Sequence, residues 1–74
     1  MSYDENHIAA WQLVCESDKT QPLSLMGQID LFCSILEISK SDLLKIVRKH
    51  AGRNPGYGIT DFFFHLGLSL SRNI

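Results

Sequence analysis

The chain has 74 residues, of which 45% are hydrophobic and 20% charged, a composition that predicts one packed domain over residues 1–74 and excludes a disordered chain. Seven Lys and Arg residues against eight Asp and Glu give a formal net charge of −1. Because autonomous nucleic-acid binders usually carry a basic excess, this balance weighs against a nucleic-acid partner. A domain this short buries only about 60% of the surface that its unfolded chain exposes, so self-association is expected to help stabilise it.

The first predicted helix covers residues 3–17. Ser2 and Glu5 have the spacing of a capping box, in which each side chain bonds to the other residue's free backbone N–H. Apolar residues then recur at helical spacing, at Ile8, Trp11, Val14 and Cys15. The polar segment 18–22, which ends in a proline, is expected to terminate this helix.

The second predicted helix covers residues 22–37, because proline is tolerated at the first position of a helix, where its missing N–H would be unpaired anyway. Its apolar residues form one stripe, which consists of Leu25, Ile29, Phe32, Cys33 and Leu36. Polar residues separate these positions and are left for water. The helix is therefore expected to pack against the core through the stripe.

The third predicted helix covers residues 40–51. Ser39 and Asp42 can both accept hydrogen bonds from the free N–H groups of its first turn. Basic residues crowd its second half, where positive charge complements the helix dipole, and Gly52 is predicted to end it in a left-handed conformation. The loop 53–58 has strong turn chemistry and is predicted to be a connection, with Thr60 or Asp61 capping the last segment of the chain.

This last segment, residues 60–72, has two interpretations. Apolar and polar residues alternate over much of it, which is typical of a strand, but a lone strand would have no partner for its backbone hydrogen bonds. As a helix, the segment is apolar around most of its circumference, with Phe62 and Phe63 facing the core and Phe64 facing a partner. We predict an all-α fold, a small bundle of about four helices, with a C-terminal strand as the alternative.

Residues 29–48 combine two amphipathic helices with a short turn. Apolar residues stand at Phe32, Leu36, Ile38, Leu43 and Ile46, and the small Cys33 stands where two helices would approach closely. In this spacing the segment resembles helix-turn-helix transcriptional regulators. It departs from their pattern at Glu37, where the family usually has a left-handed glycine, and at Asp42 and Leu44, which lie on the outward face. The resemblance implies base contacts from Ser39, Lys40, Ser41 and Lys45, and phosphate contacts from Arg48, Lys49 and Arg53.

The same residues also fit an ordinary helical pair, in which the third helix has a wide apolar face shared between the core and a partner. The basic residues would then be a solvated helix end that complements the dipole. Arg and Tyr are residue types that dominate protein-binding hot spots. The candidate partner-binding residues are Leu44, Arg53, Tyr57 and Phe64.

Catalytic and metal sites find little support in the sequence. No nucleophile motif surrounds any Ser or Cys, and His7, His50 and His65 lie in three different segments. Cys15 and Cys33 lack the short spacing of a zinc site or a disulfide framework and are expected to be reduced thiols. We predict no catalytic residue, no metal and no cofactor.

The N-terminal residues are acidic and polar, whereas a secretory signal would be basic and then apolar, and no apolar run approaches the length of a membrane span. A cytoplasmic location without membrane contact is expected. The sequence favours a small non-enzymatic regulatory or inhibitory protein that acts by protein–protein interaction and forms a homo-oligomer. The alternative function is a DNA-binding regulator that uses residues 29–48. A third possible function is an enzyme subunit without catalytic chemistry of its own.

Overall fold

The structure, a computed structural model, describes residues 3–72 and shows four α-helices in this range. They are α1 (Glu5–Thr20), α2 (Leu25–Leu36), α3 (Lys40–Ala51) and α4 (Ile59–Arg72). The all-α prediction is confirmed, and the C-terminal strand is not supported because this segment is helical. Within residues 3–72, no helix combines the length and the apolar composition that crossing a membrane requires.

The first helix begins at Glu5 because Asp4 caps it. The Asp4 carboxylate accepts a hydrogen bond of 2.7 Å from the backbone N–H two residues later. Glu5 is thus the first helical residue, and the predicted capping partner Ser2 lies outside the described residues. The helix continues to Thr20, three residues beyond its predicted end.

The second helix begins at Leu25, so the predicted start at Pro22 is wrong. Ser24 caps the helix, and its hydroxyl accepts a hydrogen bond of 3.1 Å from the N–H three residues later. The segment before it is held by Asp18, whose carboxylate accepts a hydrogen bond of 2.7 Å from the N–H of Leu23. A serine beside the apolar stripe therefore starts the helix, and the proline belongs to the connection.

The third helix has the predicted bounds. The Ser39 hydroxyl accepts a hydrogen bond of 3.0 Å from the N–H of Asp42, whose carboxylate accepts one of 3.3 Å from the N–H of Ser39. Gly52 ends the helix as predicted, but its φ of 60° and ψ of −117° differ from the left-handed helical conformation that was expected, because ψ lies far from the left-handed value. In the first turn of α4, Asp61 accepts a hydrogen bond of 2.8 Å from the N–H of Gly58, and the helix starts one residue earlier than predicted.

The four helices form a closed ring, in which α1 packs against α2 and α4, and α3 packs against the same two helices. Tyr3 lies near Phe62, and the Trp11 indole stacks on Phe63 at a centroid distance of 4.3 Å. The chain's first and last helices are therefore direct neighbours.

The core has an aromatic centre. The ring of Phe32 meets Phe63 at 5.2 Å and Phe62 at 6.2 Å, both edge to face, which is the arrangement that aromatic quadrupoles favour. Phe64 instead points outward and is 64% exposed, so the predicted inward and outward directions of the three phenylalanines are observed. The buried residues of the core are Ala10, Val14, Phe32, Cys33, Leu43, Val47, Phe62, Phe63 and Leu66.

Candidate nucleic-acid interface

The turn between α2 and α3 contains a left-handed residue at Glu37. Glu37 adopts φ 56° and ψ 45°, the left-handed conformation that glycine usually supplies. The turn is closed by a hydrogen bond of 3.0 Å from the N–H of Ile38 to the carbonyl of Cys33. Glu37 thus differs from the glycine that is usual at this position in helix-turn-helix proteins, but its backbone conformation is the one that such a glycine often adopts.

The apolar positions of the pattern all face inward. Phe32 and Leu43 are buried, and the other three pattern residues, Leu36, Ile38 and Ile46, are partly buried and pack against the core. Cys33 is buried beside the start of α3, with its Sγ 3.9 Å from the carbonyl oxygen of Ser39, and burial raises the pKa of its thiol. A small side chain at this position lets the two helices approach closely.

The outward face of α3 carries polar and basic side chains. Ser41, Lys45 and Arg48 are exposed, and their spacing of four and three residues aligns them along one stripe of the helix. Lys49 is exposed at the side of this stripe, and Arg53 is exposed in the loop after α3. The residues for which the resemblance implies DNA contacts are therefore all accessible, including Ser39 and Lys40 at the N-terminal end of α3.

Two charged groups near the start of α3 are already engaged. The Asp42 carboxylate is directed at the N-terminus of its own helix by the capping box. Lys40 forms an ion pair with Asp30, with Nζ and Oδ1 3.0 Å apart and both side chains more than half exposed. An exposed ion pair contributes little stability, so Lys40 can exchange this partner for another anion at small cost.

The candidate partner-binding residues fall into two groups. Leu44 and Phe64 are the most exposed large hydrophobic side chains of the described chain, at 63% and 64%, and Arg53 is also exposed. Tyr57 is partly buried, and its hydroxyl lies 3.3 Å from the Tyr3 hydroxyl and 3.3 Å from Nδ1 of His65. Burial, followed by the hydrogen bond to Tyr3, raises the pKa of Tyr57, which is thus engaged within the fold.

Three histidines that are distant in the sequence come together around Tyr3 and Phe62. His50 stacks on the Tyr3 ring at 4.4 Å and lies 5.2 Å from the Phe62 ring, and His7 lies 6.2 Å from the same ring. His65 lies 6.0 Å from the Tyr3 ring. Sequence reasoning treated each histidine as isolated, although each stands three residues from a core position, a spacing that indicates one helix face.

The environment of His50 disfavours positive charge on its ring. Burial lowers the pKa of His50, and the nearby His7, Lys49 and His65 lower it further because a second positive charge repels the first. The Nδ1 atom of His7 is buried and has no hydrogen-bond partner among residues 3–72. In the same range, no group of three or more His, Cys, Asp or Glu side chains is arranged to hold a metal ion.

A surface groove of about 530 Å³ lies between α1 and the end of α4. It is lined by Glu5, Ile8, Ala9, Gln12, Cys15, Glu16, Lys19 and Leu70. Burial and the nearby Asp18 raise the pKa of the Cys15 thiol, whereas a reactive cysteine requires a lowered pKa. The groove therefore offers no activated nucleophile.

Comparisons of the chain with known protein families, with curated proteins and with solved structures found no match. The likeness to helix-turn-helix proteins is therefore a resemblance of residues 29–48 alone.

Proposed function

We propose that this chain is a small non-enzymatic regulatory protein that binds double-stranded DNA through α2 and α3, with α3 as the helix that enters the major groove. The observation that carries the proposal is the left-handed backbone at Glu37. A non-glycine residue in this conformation is uncommon and costs free energy. Its occurrence at the one turn position where the helix-turn-helix pattern needs it supports that relation between the two helices.

The distribution of charge also supports DNA binding, although the net charge of −1 weighs against it. Residues 39–54 contain five of the seven basic residues and one of the eight acidic residues. The rest of the chain carries two basic and seven acidic residues and is therefore negative. A polyanion is attracted to the α3 surface and repelled by the remainder, so the charge pattern orients the molecule on DNA.

The exposed side chains of α3 match the chemistry of base and phosphate recognition. The resemblance implied a phosphate contact for Arg48, but Arg48 shares the stripe of Ser41 and Lys45, so we assign it to a base instead. It can donate two hydrogen bonds to the acceptors of guanine in the major groove, and Ser41 and Lys45 can contact neighbouring base edges. Lys49 and Arg53 lie beside the stripe and would contact phosphates. Base contacts provide specificity in this arrangement, while the phosphate contacts provide most of the affinity.

Fluorescence anisotropy with a pool of random-sequence 30-bp duplexes tests the proposal, followed by selection of the duplexes that bind most tightly. Binding should weaken steeply as the salt concentration rises, because phosphate contacts release counterions. Arg48→Ala should lose about 10-fold in affinity for the selected duplex, which is the usual effect of one good base contact. Lys19→Ala is the matched control, because it removes an exposed positive charge from α1.

Lys19→Ala should bind the selected duplex with an affinity within about 2-fold of that of the unmodified chain, because Lys19 lies on α1 and outside the α3 surface. Equal losses in Lys19→Ala and Arg48→Ala would mean that α3 has no special role. Absence of binding at 50 mM salt, where nonspecific contacts are strong, would exclude DNA as the partner.

A second candidate function is protein–protein interaction through the outer face of α4, which we define as Thr60, Phe64, Leu68 and Ser71. All four residues are exposed, with Phe64 at 64% and Leu68 at 42%. None of these four side chains is charged, so a second copy of the chain can cover them without burying an unpaired charge of theirs. In a two-fold arrangement, Phe64 of one copy packs against Leu68 of the other.

Sedimentation velocity at micromolar concentration tests this self-association. We expect a dimer that dissociates in Phe64→Asp, because a carboxylate at the centre of an apolar contact loses its hydration. Leu13→Asp is the matched control, since Leu13 is 50% exposed but lies on α1, and it should remain dimeric. A monomer in the unmodified chain would exclude self-association through α4.

A further inference from the structure

Tyr3, the residue before the cap of α1, is held by four side chains from the far part of the chain. Its ring stacks on His50 at a centroid distance of 4.4 Å and an interplanar angle of 9°, and Phe62 and His65 each lie 6.0 Å away. Its hydroxyl lies 3.3 Å from the hydroxyl of Tyr57. The start of α1 is therefore fastened to α3, to α4 and to the loop between them, and the closest of these ring contacts is with a histidine.

The rest of α1 is attached independently of this cluster. The Trp11 indole stacks on Phe63 at 4.3 Å, and Ala10 and Val14 are buried in the core. None of these side chains changes its charge with pH. In the first turn, by contrast, the buried Nδ1 atom of His7 has no hydrogen-bond partner among residues 3–72, so water can satisfy it once the turn moves away from the core. The first turn can thus detach while the remainder of α1 stays packed.

A proton on His50 would face titratable or positive groups from three helices. His7 approaches from α1, Lys49 is its neighbour on α3, and His65 approaches from α4. The Tyr3 ring would attract a cation, but this attraction is weak in a half-buried pair. Repulsion from several groups therefore opposes one weak attraction.

The carboxylates near these histidines are engaged elsewhere. Asp4 stands one turn before His7, and Asp61 stands one turn before His65. Each accepts a hydrogen bond from a backbone N–H at the start of its own helix. Within residues 3–72, no histidine forms an ion pair with a carboxylate. A charge on His50 would thus lack a compensating anion in the described part of the chain.

The hydrogen bonds of His65, unlike the surroundings of His50, can adapt to a proton. Nδ1 of His65 lies 3.3 Å from the Tyr57 hydroxyl, which also lies 3.3 Å from the Tyr3 hydroxyl. When Nδ1 carries no proton, Tyr57 donates to it and accepts from Tyr3. When Nδ1 carries a proton, Tyr57 accepts from His65 and donates to Tyr3, so the chain of hydrogen bonds reverses its direction without breaking.

We propose that the stack of His50 on Tyr3 is an acid-sensitive latch, in which protonation of His50 releases Tyr3 and the first turn of α1 while the rest of α1 stays packed. Because the pKa of His50 is lowered by burial and by its neighbours, the closed latch is fully favoured above pH 6.5, the ordinary histidine value. It loses stability as the pH falls below that value. Release removes Tyr3 from Phe62, which is 0% exposed when the latch is closed, so acid uncovers one edge of the aromatic centre.

Amide hydrogen exchange followed by NMR between about pH 7 and about pH 5 tests the latch. The reporter of the first turn is the N–H of Ile8, which donates a hydrogen bond of 3.0 Å to the carbonyl of Asp4. The N–H of Val14 reports on opening of the whole core. The protection of Ile8, corrected for the intrinsic effect of pH on exchange, should be lower than that of Val14 and should fall several-fold on acidification.

His50→Phe keeps a ring against Tyr3 but cannot be protonated, so the protection of Ile8 should no longer depend on pH in this variant. His50→Gln serves the same purpose if the phenylalanine variant does not fold. Lys49→Gln should reduce the pH dependence, because it removes a charge that repels a protonated His50. Lys45→Gln is the matched control, since it removes another exposed lysine of α3 that is not among the charges acting on His50, and it should leave the pH dependence unchanged.

Equal protection of Ile8 and Val14 at every pH would overturn the latch, because the first turn would then open only with the whole core. Lower protection of Ile8 that does not change with pH would also overturn it, since the first turn would then open without any change at His50. A His50→Phe variant with the pH dependence of the unmodified chain would exclude His50 as the trigger and overturn the proposal as well.

Discussion

Helices α3 and α4 have similar inner faces and different outer faces. They contain 12 and 14 residues, and both insert apolar side chains into the same core, Leu43 and Val47 from α3 and Phe62, Phe63 and Leu66 from α4. The outer face of α3 is basic and polar apart from Leu44, and that of α4 is uncharged. Apart from the capping residues Ser39 and Asp42, the outer faces are not constrained by packing in the core, so the contrast between them bears on the choice of partner.

The largest expected effect separates the two faces of α4. Phe62→Ala and Phe63→Ala should each lower the free energy of unfolding by about 3–5 kcal/mol, because each removes a buried ring and leaves a cavity. Phe64→Ala should cost less than about 1 kcal/mol, since Phe64 is mostly in water. Urea unfolding followed by circular dichroism measures all three, with Phe62→Leu as a milder variant if the alanine variants do not fold.

Similar losses in Phe62→Ala and Phe64→Ala would contradict the inward and outward assignment on α4. The same experiment also separates helix from strand. On a strand, Phe62 and Phe64 would share one face and Phe63 would lie on the other. Costly substitutions at 62 and 64 with a neutral one at 63 would therefore be incompatible with a helical α4.

The next effect concerns the start of α3. Ser39→Ala should lower the free energy of unfolding by about 1 kcal/mol, because it leaves the N–H of Asp42 without its capping partner. Ser41→Ala is the matched control and should change stability by less than about 0.5 kcal/mol, because Ser41 is exposed and substitutions at such positions have small effects. Thermal and urea unfolding should give the same change in the free energy of unfolding. If Ser39→Ala does not change this free energy, packing in the core alone positions α3.

The turn that presents α3 should be improved by glycine. Glu37→Gly should raise the free energy of unfolding by about 0.5–1 kcal/mol, because glycine adopts the left-handed conformation without strain. The gain is smaller than the full strain energy, since glycine also has more conformational freedom in the unfolded chain. Glu16→Gly, at an exposed position within α1, should instead lower it by about 1 kcal/mol. Destabilisation by both substitutions would show that the Glu37 side chain stabilises the turn in some other way.

The smallest expected effect is a pH dependence that links α3 and α4 through His50. Because the pKa of His50 is lowered in the folded protein, the unfolded chain binds more protons as pH falls through 6.5, the ordinary value. Stability should therefore be fully present above that pH and decrease below it. The melting temperature should decrease as the pH is lowered from about 7 to about 5. His50→Gln should make this decrease of melting temperature with pH smaller. An unchanged decrease in His50→Gln would exclude His50 as its source.

The sequence was most informative where strong local signals flank a helix. The bounds of α3 were predicted to the residue, because Ser39 with Asp42 and Gly52 are unambiguous end signals. The start of α2 was misplaced because proline is allowed at a first helical position, although Ser24 supplies the capping oxygen. For α4 the local pattern fitted both a helix and a strand, and the packing against α1 and α3 distinguishes them.

The candidate site was predictable in its residues but not in its backbone. The resemblance to helix-turn-helix proteins implied an outward direction for Ser41, Lys45 and Arg48, and all three are exposed, while their contact with DNA stays a prediction. The left-handed conformation at Glu37 was not expected, because glutamate has no intrinsic preference for it and the tertiary contacts of α2 and α3 must impose it. The histidine cluster was also missed, since it depends on how α1, α3 and α4 meet.

The packing of α1 directly against α4 has a consequence for the order in which the chain is synthesised. Phe62 and Phe63, which complete the aromatic centre, are translated after the other three helices, and Tyr3 meets Tyr57 across 54 positions of the chain. Contacts between such distant residues must wait until the intervening chain exists. The nascent chain therefore holds Trp11 and Phe32 without their partners until α4 emerges, and a ribosome that stalls before residue 59 would present an incomplete core to chaperones and proteases.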